Sequence, residues 1–150
     1  MKIQRLLMLL LPVILSFNAH SYDNQPFREF GDYKVYFSVF NSSFIQPEIA
    51  EAYNFTRGKD RALVNIALVK KKDVGDTQGL ATEISGYSQN LMQQRRNLEF
   101  MEVNEQNAVY YLAPVRFINE EILHFTIEVK PTASSRPMTV TFSKKLYVDR

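Results

Sequence analysis

Few side chains in this chain are equipped for chemistry. It has no Cys and two His, so thiolate nucleophiles, disulfides and the usual zinc patterns are all excluded. His20 belongs to an apolar leader, which leaves His124, in the polar phase of a strand-like run beside Thr126 and Glu128. A general base needs an enclosed site and a reacting partner within hydrogen-bond reach. His124 therefore reads as a solvated strand residue, and a hydrolase using it as base ranks last among the functional readings. No Gly-x-Ser-x-Gly elbow exposes a serine. Glu120-Glu121 and the Glu48/Glu51 pair are sequence neighbours, whereas carboxylates acting on one sugar flank it from two sides. Asp73 and Asp76 around Gly75 lack the ordered spacing of a calcium loop and read as turn chemistry. The five Gly are scattered and build no phosphate cradle. No catalytic residue, metal ligand or cofactor is expected.

What remains is binding chemistry. Arg57, Lys59 and Arg61 form a basic cluster and Arg95-Arg96 another, either solvated turns or a patch for an acidic partner. In Phe40-Asn41-Ser42-Ser43-Phe44 the Asn and Ser side chains can bond nearby backbone and fix the corner after a strand. Asn65 lies in an apolar strand and, if buried, needs a partner, since an unmade bond costs about 1–3 kcal/mol. Tyr110-Tyr111 send one ring to each face of a strand, one into the core and one to a surface contact, with an exposed aromatic patch expected beside Tyr111. The candidate binding residues are thus Asn41, Ser42, Ser43, Arg57, Arg61 and Tyr111.

The elements that position them begin with an address. Residues 1–21 carry Lys2 and Arg5, then a greasy run from Leu6 to Phe17, then Asn18-Ala19-His20-Ser21. That is the layout of a secretory signal peptide cut after Ser21; a spanning helix needs about 20 apolar residues. With no Cys near the exit, a lipid anchor has no attachment atom. Lys2 and Arg5 leave with the leader and no acid does, so the 18 Lys+Arg and 16 Asp+Glu of the whole chain become equal numbers in 22–150. A net charge near zero supplies no long-range pull toward nucleic acid or anionic lipid. Neither nucleic acid nor stable membrane insertion after cleavage is expected.

Period-two alternation dominates the rest. Tyr33, Val35, Phe37 and Val39 alternate with Lys34, Tyr36, Ser38 and Phe40, whereas Leu63–Val69 is nearly continuous, the mark of a strand covered on both faces. Leu80–Tyr87 is weaker. Leu98, Phe100 and Val103 shift phase around Met101, expected as a bulge, and Gln89–Arg96 reads as a loop or strand end. Asn104–Asn107 should link two hairpin strands. Leu123–Lys130 is the cleanest strand, and Met138–Val148 the last, with Lys144 in its apolar phase through a snorkelling stem or a bulge. Pro47–Tyr53 is the one helix, Pro-led with early acids. About seven strands and one short helix predict an all-β fold, an antiparallel two-sheet sandwich of immunoglobulin-like type; a small closed barrel is the competitor. Residues 22–150 form a single domain.

Phe30-Gly31-Asp32-Tyr33, Phe40-Asn41-Ser42-Ser43-Phe44, Pro47-Glu48-Ile49-Ala50 with Ala52-Tyr53, Asn65-Ile66, Asn90-Leu91 and Tyr110-Tyr111 resemble the envelope-exported domain-of-unknown-function family numbered 4426. The resemblance spans 27–150, and the Phe-Asn-Ser-x-Phe-x-x-Pro-Glu string is its most specific part. It implies a small β-rich periplasmic protein of Gram-negative bacteria and brings no catalytic residues. The expected function is a non-enzymatic envelope module that binds a protein or peptide, by edge-strand pairing or an aromatic patch. The alternative is a carrier or sensor holding a small apolar or aromatic ligand between the sheets.

Overall fold

Alternating apolar residues fold into strands because one face of each can then be removed from water. A computed structural model describes residues 25–150; the expected signal peptide, 1–21, and its cut after Ser21 lie outside the described residues. Nine strands are described: β1 (Phe27–Phe30), β2 (Tyr33–Asn41), β3 (Arg61–Lys70), β4 (Glu83–Gln89), β5 (Arg95–Asn97), β6 (Met101–Glu105), β7 (Ala108–Arg116), β8 (Glu121–Lys130) and β9 (Met138–Leu146). A 3-10 turn (Ser42–Phe44) and one helix, α1 (Pro47–Ala52), join β2 to β3. The strands form a five-stranded sheet, β1-β2-β3-β7-β6, and a four-stranded sheet, β5-β4-β8-β9. All pairings are antiparallel.

With β1 set aside, β2-β3-β7-β6 and β5-β4-β8-β9 reproduce the A-B-E-D and C′-C-F-G orders of immunoglobulin domains. The protein is therefore an all-β sandwich of that type, with four sheet edges, rather than a closed barrel. Its core lies between the sheets, where Val35, Val64, Ile66, Leu68, Phe125 and Ile127 are essentially inaccessible to solvent.

β3 is apolar throughout because it is covered twice. Ala62, Val64, Ile66 and Leu68 face the opposite sheet, while Leu63 packs outward under Ala50 of α1 and Phe55. Asn65 sits on the same outer face, opposite Ser38 of β2 and Leu112 of β7. The partner expected for it is missing: its Oδ1 is buried without a hydrogen bond. Gly79 allows another close contact. The Val109 N–H donates to its carbonyl at 3.0 Å, and a Cβ on Gly79 would lie 2.2 Å from the Val109 oxygen.

Several boundaries differ from the sequence reading, each for a physical reason. β1 and β5 carry no apolar period of their own. All three residues of β5 are exposed, held only by pairing with Tyr87–Gln89. The phase shift near Met101 is not a bulge within one strand; it marks the passage from β5 in one sheet to β6 in the other. Leu80 makes a lone bridge to Leu68, and its strand begins only at Glu83. The β6–β7 hairpin turns at Gln106 and Asn107, φ 49° and 65°, as a type I′ turn requires. Pairing of β8 with β9 runs unbroken from Glu121↔Leu146 to Val129↔Met138, so no bulge explains Lys144. Its side chain is exposed at the open side of the sandwich.

Replacing Asn65 with Leu removes an orphaned acceptor without opening a cavity. Asn65→Leu is expected to stabilise the fold by about 1 kcal/mol, raising Tm by about 3–6 °C in a domain of this size. Calorimetry checks this; an unchanged or lower Tm would show that the amide oxygen is satisfied.

Candidate functional site: the loop end and the open side

The sequence candidates gather at one end of the sandwich, where β2, β4, β7 and β9 finish and β3, β5 and β8 begin. Asn41 Nδ2 donates to the Tyr147 carbonyl at 2.9 Å and to Asp149 Oδ1 at 2.6 Å. The Ser43 hydroxyl donates to Asp149 Oδ2. Ser42 is buried; its Oγ donates to the Gly58 carbonyl at 3.1 Å and accepts the Gly58 amide at 3.0 Å. Arg57 Nη2 donates to the Ser43 carbonyl at 3.0 Å. Asn41, Ser42, Ser43 and Arg57 thus form one clasp that closes the corner after β2 and ties down Tyr147 and Asp149. The polar atoms that suggested binding are used internally. Hydrogen bonds from Ser43 and then Asn41 hold the Asp149 carboxyl below its ordinary value, with Lys59 adding to them against partial desolvation.

Arg61 opens β3 opposite Arg116, half-buried against Gly58. Tyr111 is elsewhere, and here the expectation is corrected. It is 4% exposed, accepting the Thr82 amide at 2.8 Å and donating to the Thr82 carbonyl at 3.0 Å. Glu102 Oε2 lies 3.2 Å away. Burial, followed by the Glu102 carboxylate, pushes the phenol up, while its bond to Thr82 opposes them. The outward ring is Tyr110. In β7 the odd positions Tyr111, Ala113 and Val115 face the core, which the alternation of that strand alone foreshadows.

A second feature was not anticipated. Among the described residues five strands face four, so β1 extends past β9 with no described strand opposite it. Between them lies an open cleft of about 660 Å³. Its floor is a stack of rings: Phe142 lies 4.4 Å from Phe37 and 5.0 Å from Phe125. The Arg28 guanidinium sits 5.2 Å above Phe37, and Lys144 stands on the rim. Arg28 and Lys144 are cations, and no carboxylate lines the cleft among the described residues. Along one wall β9 is an edge strand of nine residues. His124 Nδ1 meets Ser143 Oγ at 2.5 Å, but on an exposed strand face and with no carboxylate on the other ring nitrogen among the described residues. Nor does any group of three or more His, Cys, Asp or Glu among them lie close enough to hold a metal ion.

Fold and site together define an immunoglobulin-like sandwich whose β9 edge borders an aromatic cleft. The family described as Domain of unknown function (DUF4426) matches residues 27–149, and the chain belongs to it. A crystal structure of a DUF4426 family protein from Pseudomonas aeruginosa PAO1 (PA0388) is 31% identical, with a TM-score of 0.72 over 83% of this chain and 95% of that one. FetP of uropathogenic E. coli strain F11, recombinantly expressed in the periplasm of E. coli, is 11% identical, with a TM-score of 0.58 over 83% of this chain and 94% of its own. A copper-bound FetP variant matches at 11% identity and a TM-score of 0.58 over 81% and 94%. At that identity the likeness to FetP is one of fold alone, and the copper is FetP's. No curated protein matches the chain. Among the described residues no helix is long and apolar enough to cross a membrane.

The clasp has a titratable signature. A carboxyl lowered on folding contributes stability above its unfolded value, and that contribution is lost as pH falls through the folded one. Asp149 should therefore titrate below the ordinary 3.8, so the clasp loosens only in acid below that point. Ser43→Ala should move the titration back up toward it, read by carboxyl NMR; an unmoved midpoint would show that Ser43 does not hold the charge.

Proposed function

We propose that the protein is a non-enzymatic module of the periplasm that binds an extended polypeptide segment along β9. One observation carries this reading: the four-stranded sheet stops one strand short of the sheet it faces, beside an aromatic cleft. An added strand at β9 would satisfy unpaired backbone groups and stand opposite β1. In β9, Phe142 and Lys144 are two residues apart and share the inward phase. Cross-strand neighbours on one face interact directly. The segment best matched therefore carries an apolar or aromatic residue over Phe142 and an acidic one two positions away, near Lys144. The apolar leader of residues 1–21 and the periplasmic expression of the fold relative FetP support the periplasmic location.

The alternative carrier would hold its ligand between the sheets. That interior is filled with side chains, since Phe125, Ile66, Leu68 and Ile127 all have under 2% exposure. A cleft open to solvent along a bare strand edge suits a peptide better than an enclosed small molecule.

Synthetic peptides of alternating Thr and Val test the reading, one series carrying Phe and Asp two positions apart and the other Phe and Lys. The Asp series should bind and slow hydrogen exchange of the β9 amides. Lys144→Glu, an exposed change, should weaken that series by about fivefold. Failure of both series to bind, or binding that leaves β9 exchange untouched, would overturn the proposal.

A further inference from the structure

The loop end has a property that the clasp alone does not explain. Phe44 (78% exposed), Leu91 (68%), Met92 (74%), Ile118 (72%) and Tyr147 (53%) all project there. They stand on four separate segments: the turn after β2, the β4–β5 loop, the β7–β8 loop and the residues after β9. At the opposite end Val74 is the one large apolar side chain this exposed among the described residues. The tips are held outward. Asn90 Oδ1 accepts the amides of Met92 and Gln94, each at 3.0 Å, fixing the loop that carries Leu91 and Met92. The Val148 amide donates to Asn119 Oδ1 at 3.1 Å and Phe117 N–H to the Asp60 carbonyl at 3.1 Å, linking the remaining loops.

Cations stand among these tips. Met92, Ile118 and Arg96 share one shallow hollow; Phe44, Tyr147 and Lys145 share another, with Arg150. Of the carboxylates at this end, Glu48 and Glu51 of α1 are exposed, Glu120 lies 3.9 Å from Lys145, and three more are engaged. Asp60 pairs with Arg116 at 2.9 Å, Asp149 lies in the clasp, and Glu121 accepts the Ile118 amide at 2.9 Å. The side chains of Arg96, Lys144 and Arg150 have no hydrogen-bond or ion-pair partner among the described residues. Residues 57–61, 95–96, 116 and 144–150 bring nine Lys and Arg to this end against those six acids, so the balanced charge of 22–150 conceals a positive end.

We infer that this end docks reversibly on an anionic lipid bilayer, the apolar tips entering the interface while the Arg and Lys side chains meet the headgroups. The arrangement favours lipid over a protein partner. The apolar side chains gather at two separate hollows rather than in one continuous patch, and cations stand among them. A fluid interface accepts scattered points, whereas a protein surface needs matched contiguous contact. Each basic side chain near an anionic surface adds attraction that salt screens.

The test uses protein released from the periplasm by osmotic shock and vesicles of phosphatidylethanolamine mixed with phosphatidylglycerol, against vesicles of phosphatidylcholine alone. Cosedimentation should occur with the anionic vesicles, fall as salt is raised, and be absent with the neutral ones. Met92→Glu and Arg96→Glu should each lower it about tenfold, with unchanged circular dichroism because both sites are exposed. Val74→Glu, at the far end, should leave it unaltered. Equal binding to both vesicles, equal loss with Val74→Glu, or an effect of Arg96→Glu without one of Met92→Glu would overturn the inference. So would self-association of the protein, abolished by Met92→Glu, in place of vesicle binding.

Discussion

The sandwich closes around β3, whose inward residues Ala62, Val64, Ile66 and Leu68 meet the opposite sheet while Leu63 is sealed from outside by Ala50 and Phe55. Each fully buried aliphatic side chain of this kind contributes about 1.5–3 kcal/mol. No other strand here is covered on both faces to that extent. β3 is also paired on both edges, with β2 and β7. The helix-bearing connection that carries α1 and the clasp is therefore part of the core's outer wall. The loop end is ordered because it covers the strand on which the rest is built. Asn65 is the exception on that wall, an acceptor left unmatched in an otherwise apolar layer.

Once β3 is central, the edges of the sandwich follow. The first sheet extends one way to β2 and β1 and the other to β7 and β6, while the second extends from β8 to β9 and from β4 to β5. At the β6 side the three-residue β5 narrows the second sheet. At the β1 side no strand among the described residues pairs with β9. Its inward residues, Phe142 and Lys144, are half-buried and exposed respectively, although their phase is that of Val140 and Leu146 in the core. An inward-pointing lysine near the end of an edge strand discourages indiscriminate pairing with other chains. On the proposed reading the same charge would make the edge selective, favouring a strand that brings an acid opposite it over one that leaves a buried unpaired cation.

Alternation made most of the fold legible before any coordinates. The strands that were read correctly, β2, β3, β7, β8 and β9, have a face that must be buried, and burial imposes the period. Elements held by neighbours instead of by their own apolar residues were invisible: Arg95–Asn97 is polar throughout, and its strand exists only because Tyr87–Gln89 presents an open ladder. The same limit explains the Met101 phase shift. A change of sheet and a bulge disturb the pattern alike, and only three-dimensional pairing separates them. The site was legible in part. Asn41, Ser42 and Ser43 stand out because Asn and Ser bond locally and Arg57 because of its basic cluster, yet Asp149, the acceptor for Asn41 and Ser43, is more than a hundred positions away in sequence, beyond the reach of any local rule. Tyr111 was misassigned because two adjacent tyrosines always face opposite ways, and the pair by itself does not say which faces inward.

Net charge misleads for a related reason. Equal numbers of acids and bases in 22–150 cancel in the far field, but attraction to a surface is decided within about 10 Å at ordinary salt. At that range the internal use of Asp60, Asp149 and Glu121 matters more than their count. The clasp consumes carboxylate at the loop end and leaves Arg96 and Arg150 outward, with Lys144 exposed at the open side. Folding thereby converts a neutral composition into a polar object with one basic, apolar-tipped end. The open edge of β9 runs along the side, roughly perpendicular to that end. A molecule resting on its loops would keep this edge accessible, with Lys144 near the junction of the two surfaces.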